Sequence, residues 1–138
     1  MTERLTKLSR SVDGSTVIVT GAASGMGRAT AHLFADEGAK VALIDIDESG
    51  LNRVADEVRT VSDSVLCLVV DLSDRLSVER AVSDVIEHYG GLDILVNNAG
   101  FATPAAIDSE VFERVWSRSL DVMAVSYTHL RAHETLLD

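Results

Sequence analysis

The stretch TVIVTGAASGMG, residues 16–27, decides how this chain folds. Five residues rich in β-branched side chains, Thr16 to Thr20, have the composition of a strand and run straight into a glycine-rich turn. Helical periodicity starts inside that turn. Gly21 permits the tight bend off the strand, and Gly27 lets the helix lie close to the sheet. Gly25 leaves backbone bare at the helix start, where free amides and about half a positive charge await an anion.

Outward from this unit the pattern repeats. The first helix runs from Met26 to Asp36, with Met26, Ala29, Leu33 and Phe34 expected on its buried face and Gly38 as its left-handed cap. Val41 to Asp45 reads as the second strand. Asp47 then caps a helix with the stripe Leu51, Val54, Ala55 and Val58. Ser64 to Val70 reads as a third strand, nearly all apolar because both faces should be covered. The third helix spans Ser73 to about His88, facing inward with Val78, Ala81, Val82, Val85 and Ile86, and Gly90 and Gly91 end it before a fourth strand, Leu92 to Val96. A loop holding Pro104 and a helix from about Asp108, with Val111, Phe112, Val115 and Trp116, come next. Strands alternating with helices predict an α/β fold, a Rossmann-type doubly wound parallel sheet in the order 3-2-1-4.

Composition narrows the function classes. With 138 residues, 46% hydrophobic and 25% charged, the chain has material for one domain, which at this size buries roughly 68% of the surface its unfolded form exposes. Twenty-two acidic against 12 basic residues give a net charge of −10, the wrong sign for a nucleic-acid partner. No apolar run approaches the roughly 18 residues of a membrane span, and no secretory leader is evident, so a cytoplasmic protein is expected. The single cysteine, Cys67, lies in an apolar run and is expected to fill core space.

One further residue points to a dinucleotide. Asp45 ends the second strand 24 residues after Gly21, close to the spacing at which a carboxylate reaches the adenosine ribose hydroxyls. That charge would repel a 2′-phosphate: at about 5 Å and an effective dielectric of about 20 the cost is roughly 3 kcal/mol, more than a hundredfold in affinity. Ser24 before the second glycine and Ile46 after the acid supply no compensating base, so NAD is expected over NADP. Asp71-Leu72 follows the third strand, and Asn97-Asn98-Ala99-Gly100 follows the fourth. Asn98 can tie strands together through its amide or touch ligand directly, while Ala99 and Gly100 leave room for one.

The spacing Thr20-Gly21-x-x-x-Gly25-x-Gly27, with Asp45, Asp71 and the Asn97 to Gly100 motif in this order, resembles the short-chain dehydrogenase/reductase family across about residues 10 to 123. The resemblance implies an oxidoreductase that moves a hydride between NAD and a small alcohol or carbonyl substrate, in a homo-oligomer. It implies cofactor contacts at Gly21, Ser24, Gly25, Met26, Gly27, Asp45, Ile46, Asp71, Leu72, Asn98, Ala99 and Gly100, with the aspartate and the residue after it on the adenine. The family's catalytic Tyr-x-x-x-Lys comes on a later helix, tens of residues beyond the asparagine motif. No lysine follows Lys40, so no catalytic residue is assigned. Tyr127 with Arg131 imitates the pair, but it stands 29 residues after Asn98 with Ser126 adjacent, and it is rejected. Seven residues after Trp116, where the family has an asparagine, stands Met123. That substitution keeps open a second class, a non-catalytic dinucleotide-binding regulator or scaffold.

From Val125 the resemblance stops, and residues 125–138 look like translated sequencing adapter, which makes residues 1–124 the expected cofactor-binding half of a longer domain. His129 and His133 lack a third ligand at matching spacing, so no metal site is assigned.

Overall fold

All five residues of β1, Thr16–Thr20, are buried, as befits a strand with neighbours on both edges and helices on both faces. The computed structural model describes residues 11–100. After β1 come α1 (Gly25–Asp36), β2 (Lys40–Asp45), α2 (Glu48–Val58), β3 (Val65–Val69), α3 (Arg75–Tyr89) and β4 (Ile94–Val96). The four strands form one parallel sheet in the order β3-β2-β1-β4, with Ile18 opposite Ala42 on one side and Leu95 on the other. This is the doubly wound α/β arrangement expected from the alternation of strands and helices.

Alternate residues of the strands serve two cores. Val17, Val19, Val41 and Leu43 pack with Ala31 and Ala35 of α1 and with Leu51, Val54 and Val58 of α2. Ile18, Ala42 and Ile44 point the other way, onto Val78, Val82 and Val85 of α3. The chain moves outward from β1 through β2 to β3, then returns to place β4 on the far side of β1. That reversal opens a crevice at the carboxyl ends of β1 and β4, the place where open α/β sheets take ligands.

Helix ends follow local chemistry. α1 closes with Gly38 at φ +86°, while the Ala39 and Gly38 amides donate to Phe34 and Ala35 carbonyls at 3.0 and 3.1 Å, a Schellman pair. α3 starts at Arg75 rather than Ser73 because Asp71 draws the Ser73 amide and hydroxyl into a turn, leaving Asp74 as the cap. Gly90, at φ +85°, ends it.

Two expectations are corrected. The buried line of α1 is Gly27, Ala31 and Ala35, with Phe34 partly buried beside it, whereas Met26 is 78% and Leu33 61% exposed. Gly27 rests on the carbonyl of Gly21, and this contact fixes the helix rotation. At about 100° per residue, Met26, Ala29 and Leu33 are then turned away from the sheet. β3, expected to be covered on both faces, is an edge strand of the described sheet in which no residue is fully buried and Val69 is 52% exposed. Its apolar faces do join both cores, Val65 and Cys67 on one side and Leu66 and Leu68 on the other, but among the described residues no strand lies beyond it. The loop at Pro104, the helix from Asp108, Met123, Tyr127 and the segment 125–138 lie outside the described residues.

Candidate functional site

At the crevice the glycine turn and the β4 loop interlock. Gly21 has φ +66°, and a Cβ there would lie 2.9 Å from the Cα of Ala99 and 3.0 Å from Nδ2 of Asn98. Asn98 donates from Nδ2 to the Gly21 carbonyl at 3.4 Å. A Cβ on Gly27 would collide with that same carbonyl and come within 2.7 Å of Asn98 Nδ2. Thr20 completes the joint: its fully buried hydroxyl donates to the Val96 carbonyl and accepts from the Asn98 and Ala99 amides, the last two at 3.1 Å. Below it, Asp93 accepts from the Thr16 amide at 2.8 Å and holds the start of β4 against β1. The sequence places Thr20 in the turn motif and Asp93 in the fourth strand but assigns neither side chain a role. The signal was present in Thr20, a polar residue closing an apolar central strand at its turn.

Gly25 differs from its two companions. Its φ is +59°, yet a Cβ there would meet nothing within 4 Å. The backbone conformation favours glycine, and the space beyond it is open. Ser24, the residue before α1, makes no side-chain cap, and the first turn carries no acidic residue. The other two helices are capped, α2 by Asp47 on the Gly50 amide and α3 by Asp74 on the Leu76 amide. The Gly50 bond and the Ser49 hydroxyl hold the Asp47 carboxyl below the usual carboxylate range.

A cleft of about 470 Å³ opens in front of α1, well inside the size range of small-molecule sites. Gly21, Ser24, Met26, Asp45, Ile46, Asp71, Leu72, Asn98, Ala99 and Gly100 all line it, together with Val70, which the sequence reading took only as the end of a strand. Gly27 lies beneath, in the joint with Gly21, and Gly25 lines a separate hollow with Arg28, Arg53 and Glu57. Arg28 is held there by both carboxylate oxygens of Glu57, at 2.8 and 2.9 Å. The charged side chains lining the main cleft are two carboxylates, Asp45 and Asp71. Asp71 accepts from Ser73, and Asp45 accepts one backbone amide on each oxygen. The apolar lining includes Ile46, 57% exposed, and the largely buried Val70 and Leu72. The arrangement offers an uncapped helix start, carboxylate acceptors and apolar walls within one cleft.

The sequence profile of the family described as short chain dehydrogenase matches residues 15–135. The chain belongs to the short-chain dehydrogenase family. Two relatives show how it sits there. Mouse (Mus musculus) 17-beta-hydroxysteroid dehydrogenase 13 is 39% identical over 106 residues, 77% of this chain and 35% of the relative. The 3-oxoacyl-[acyl-carrier-protein] reductase FabG of Thermotoga maritima is 36% identical over 111 residues, 80% of this chain and 45% of the relative. Among solved structures, a 3-ketoacyl-(acyl-carrier-protein) reductase from Brucella melitensis complexed with NADH superposes with a TM-score of 0.83 at 32% identity, covering 92% of this chain and 51% of that one. The short-chain dehydrogenase chain described here thus spans about a third to a half of the proteins it matches. Among the described residues no helix is long and apolar enough to cross a membrane.

Proposed function

We propose that the cleft binds NAD, and that residues 1–124 are the cofactor-binding half of an oxidoreductase acting on an alcohol or carbonyl compound. The observation that carries this reading is the start of α1, left without side-chain cap or acidic residue where it meets the cleft. A pyrophosphate would supply the missing negative charge and accept from the free amides at Gly25, Met26 and Gly27. Gly21 and Ser24 would shape the approach. Asp45 would accept from the ribose hydroxyls next to Ile46, and Asp71 and Leu72 would flank the adenine. Asn98, Ala99 and Gly100 would border the nicotinamide half. That the similar Brucella reductase was solved in complex with NADH supports a nicotinamide dinucleotide as the ligand.

Bound NAD supplies a hydride acceptor, and NADH a donor. This chain's residues bind and orient it; the proton transfer belongs to the Tyr-x-x-x-Lys pair that the family resemblance implies, for which no lysine is available after Lys40. A homo-oligomeric, cytoplasmic enzyme is the setting proposed for the whole protein. NAD is preferred over NADP because among the described residues no lysine or arginine joins Asp45 in lining the cleft, while Arg28 is engaged by Glu57.

Titration with NADH and NADPH, followed by nucleotide fluorescence, tests the proposal. NADH should bind tighter by about a hundredfold, and Asp45→Ala should remove most of that ratio. Equal binding of the two cofactors by the unaltered chain, or a ratio untouched by Asp45→Ala, would refute it.

A further inference from the structure

The end of β2 carries a set of contacts that the ribose reading does not use. Oδ2 of Asp45 accepts from the Ala23 amide at 3.0 Å, and Oδ1 accepts from the Asp47 amide at 3.0 Å. Next to the first bond, the Ala22 amide donates to the Ile44 carbonyl at 3.2 Å. Beyond the second, Asp47 caps α2 through the Gly50 amide, and the Ala23 methyl faces Gly50 closely enough that an added Cβ would lie 3.0 Å from it. One carboxylate therefore joins the glycine turn, the end of β2 and the cap of α2.

We propose that Asp45 is a positioning residue for the glycine-rich turn, its carboxylate fixing Ala23 and Asp47 before any cofactor arrives. A carboxylate presents about four lone-pair directions on its two oxygens. Two are taken by the backbone amides, and two remain for a pair of ribose hydroxyls. The turn that faces the phosphates and the acceptor that reads the ribose are in this way one mechanical unit. Replacing Asp45 loosens the turn as well as changing cofactor preference, so removing the charge alone gains little absolute affinity for NADP. Asparagine fills the same space but has one acceptor oxygen, and its NH2 would face an amide hydrogen. It should retain one of the two contacts and lose the other.

Two measurements on the full chain separate this role from ribose recognition. The first is amide hydrogen exchange without nucleotide, which does not depend on the proposed cofactor. Asp45→Ala should speed exchange at Ala23 and Asp47 by about tenfold, the loss of one charge-assisted bond each. Ala22, bonded to Ile44, should change far less, and Asp45→Asn should release only one of the two amides. The second rests on the cleft's binding a nucleotide and uses 2′,3′-dideoxyadenosine diphosphate, which has no ribose hydroxyls for Asp45 to hold. Without the brace, Asp45→Ala should weaken its binding by about fivefold. A role in ribose recognition alone predicts the opposite, unchanged or tighter binding, because a negative charge near an anion has been removed. Unaltered exchange at Ala23 and Asp47 in both variants would overturn the proposal, as would unchanged or tighter dideoxy-nucleotide binding by Asp45→Ala. The NADH to NADPH ratio is indifferent to the brace, which affects both cofactors alike, so either reading can fail without the other.

Discussion

The start of α1 and the starts of α2 and α3 solve the same electrostatic problem in different ways. Every helix begins with amides that its own backbone cannot satisfy. α2 and α3 meet this need internally, with Asp47 on Gly50 and Asp74 on Leu76, and α2 adds Glu48 in its first turn. α1 has a serine that does not cap and glycines at its first and third positions, and it opens into the cleft of about 470 Å³. The two capped helices contribute stability through their own side chains. The uncapped one keeps its donors for something from outside.

The largest departure from this contrast should come from its two inner glycines. Gly27→Ala places a methyl group against the Gly21 carbonyl and the Asn98 amide, so α1 must back away from the turn. About 3 kcal/mol of stability should be lost in urea unfolding, together with NADH binding. Gly25→Val meets no neighbour and carries only the strain of a β-branched residue at φ +59°, about 1–2 kcal/mol. Its circular dichroism should stay close to that of the unaltered chain while NADH binding is lost, because the branched side chain fills the space proposed for the phosphates. Equal stability loss in the two variants would mean that Gly25 is also a packing residue.

Smaller effects separate the three helix starts. Asp47→Ala and Asp74→Ala should each lower stability by about 1 kcal/mol. Ser24→Ala should stay within about 0.5 kcal/mol of the unaltered chain, since no cap is lost. Urea midpoints measured without nucleotide decide this. A Ser24→Ala loss as large as that of Asp74→Ala would erase the distinction between the helices.

The same contrast explains what was legible in the sequence. The stripes of α2 and α3 could be read because Leu51, Val54, Val58, Val78, Val82 and Val85 are strongly apolar and recur at helical spacing. The face of α1 was misjudged because its buried line is Gly27, Ala31 and Ala35, small residues whose value is closeness and whose hydrophobic signal is weak. Met26 and Leu33 carried the stronger signal and face outward. In the cleft, Asp45, Asp71 and Asn98 stood out as polar residues directly after apolar strands. Thr20 stood in the turn motif without a side-chain role, because its hydroxyl's service to both Asn98 and Ala99 depends on how β4 lies beside β1. That Asp45 holds Ala23 could not be read at all, since a contact across 22 residues depends on where β2 sets its last side chain.

The central claim, that the start of α1 awaits the phosphates of a dinucleotide, is tested most directly by amide hydrogen exchange with and without saturating NADH. Exchange should slow at Gly25 and Met26, whose donors gain acceptors, and stay unchanged at Gly50 and Leu76, which already have Asp47 and Asp74. NADH that binds and leaves Gly25 and Met26 as exposed as before, or that protects the three helix starts alike, would contradict the account.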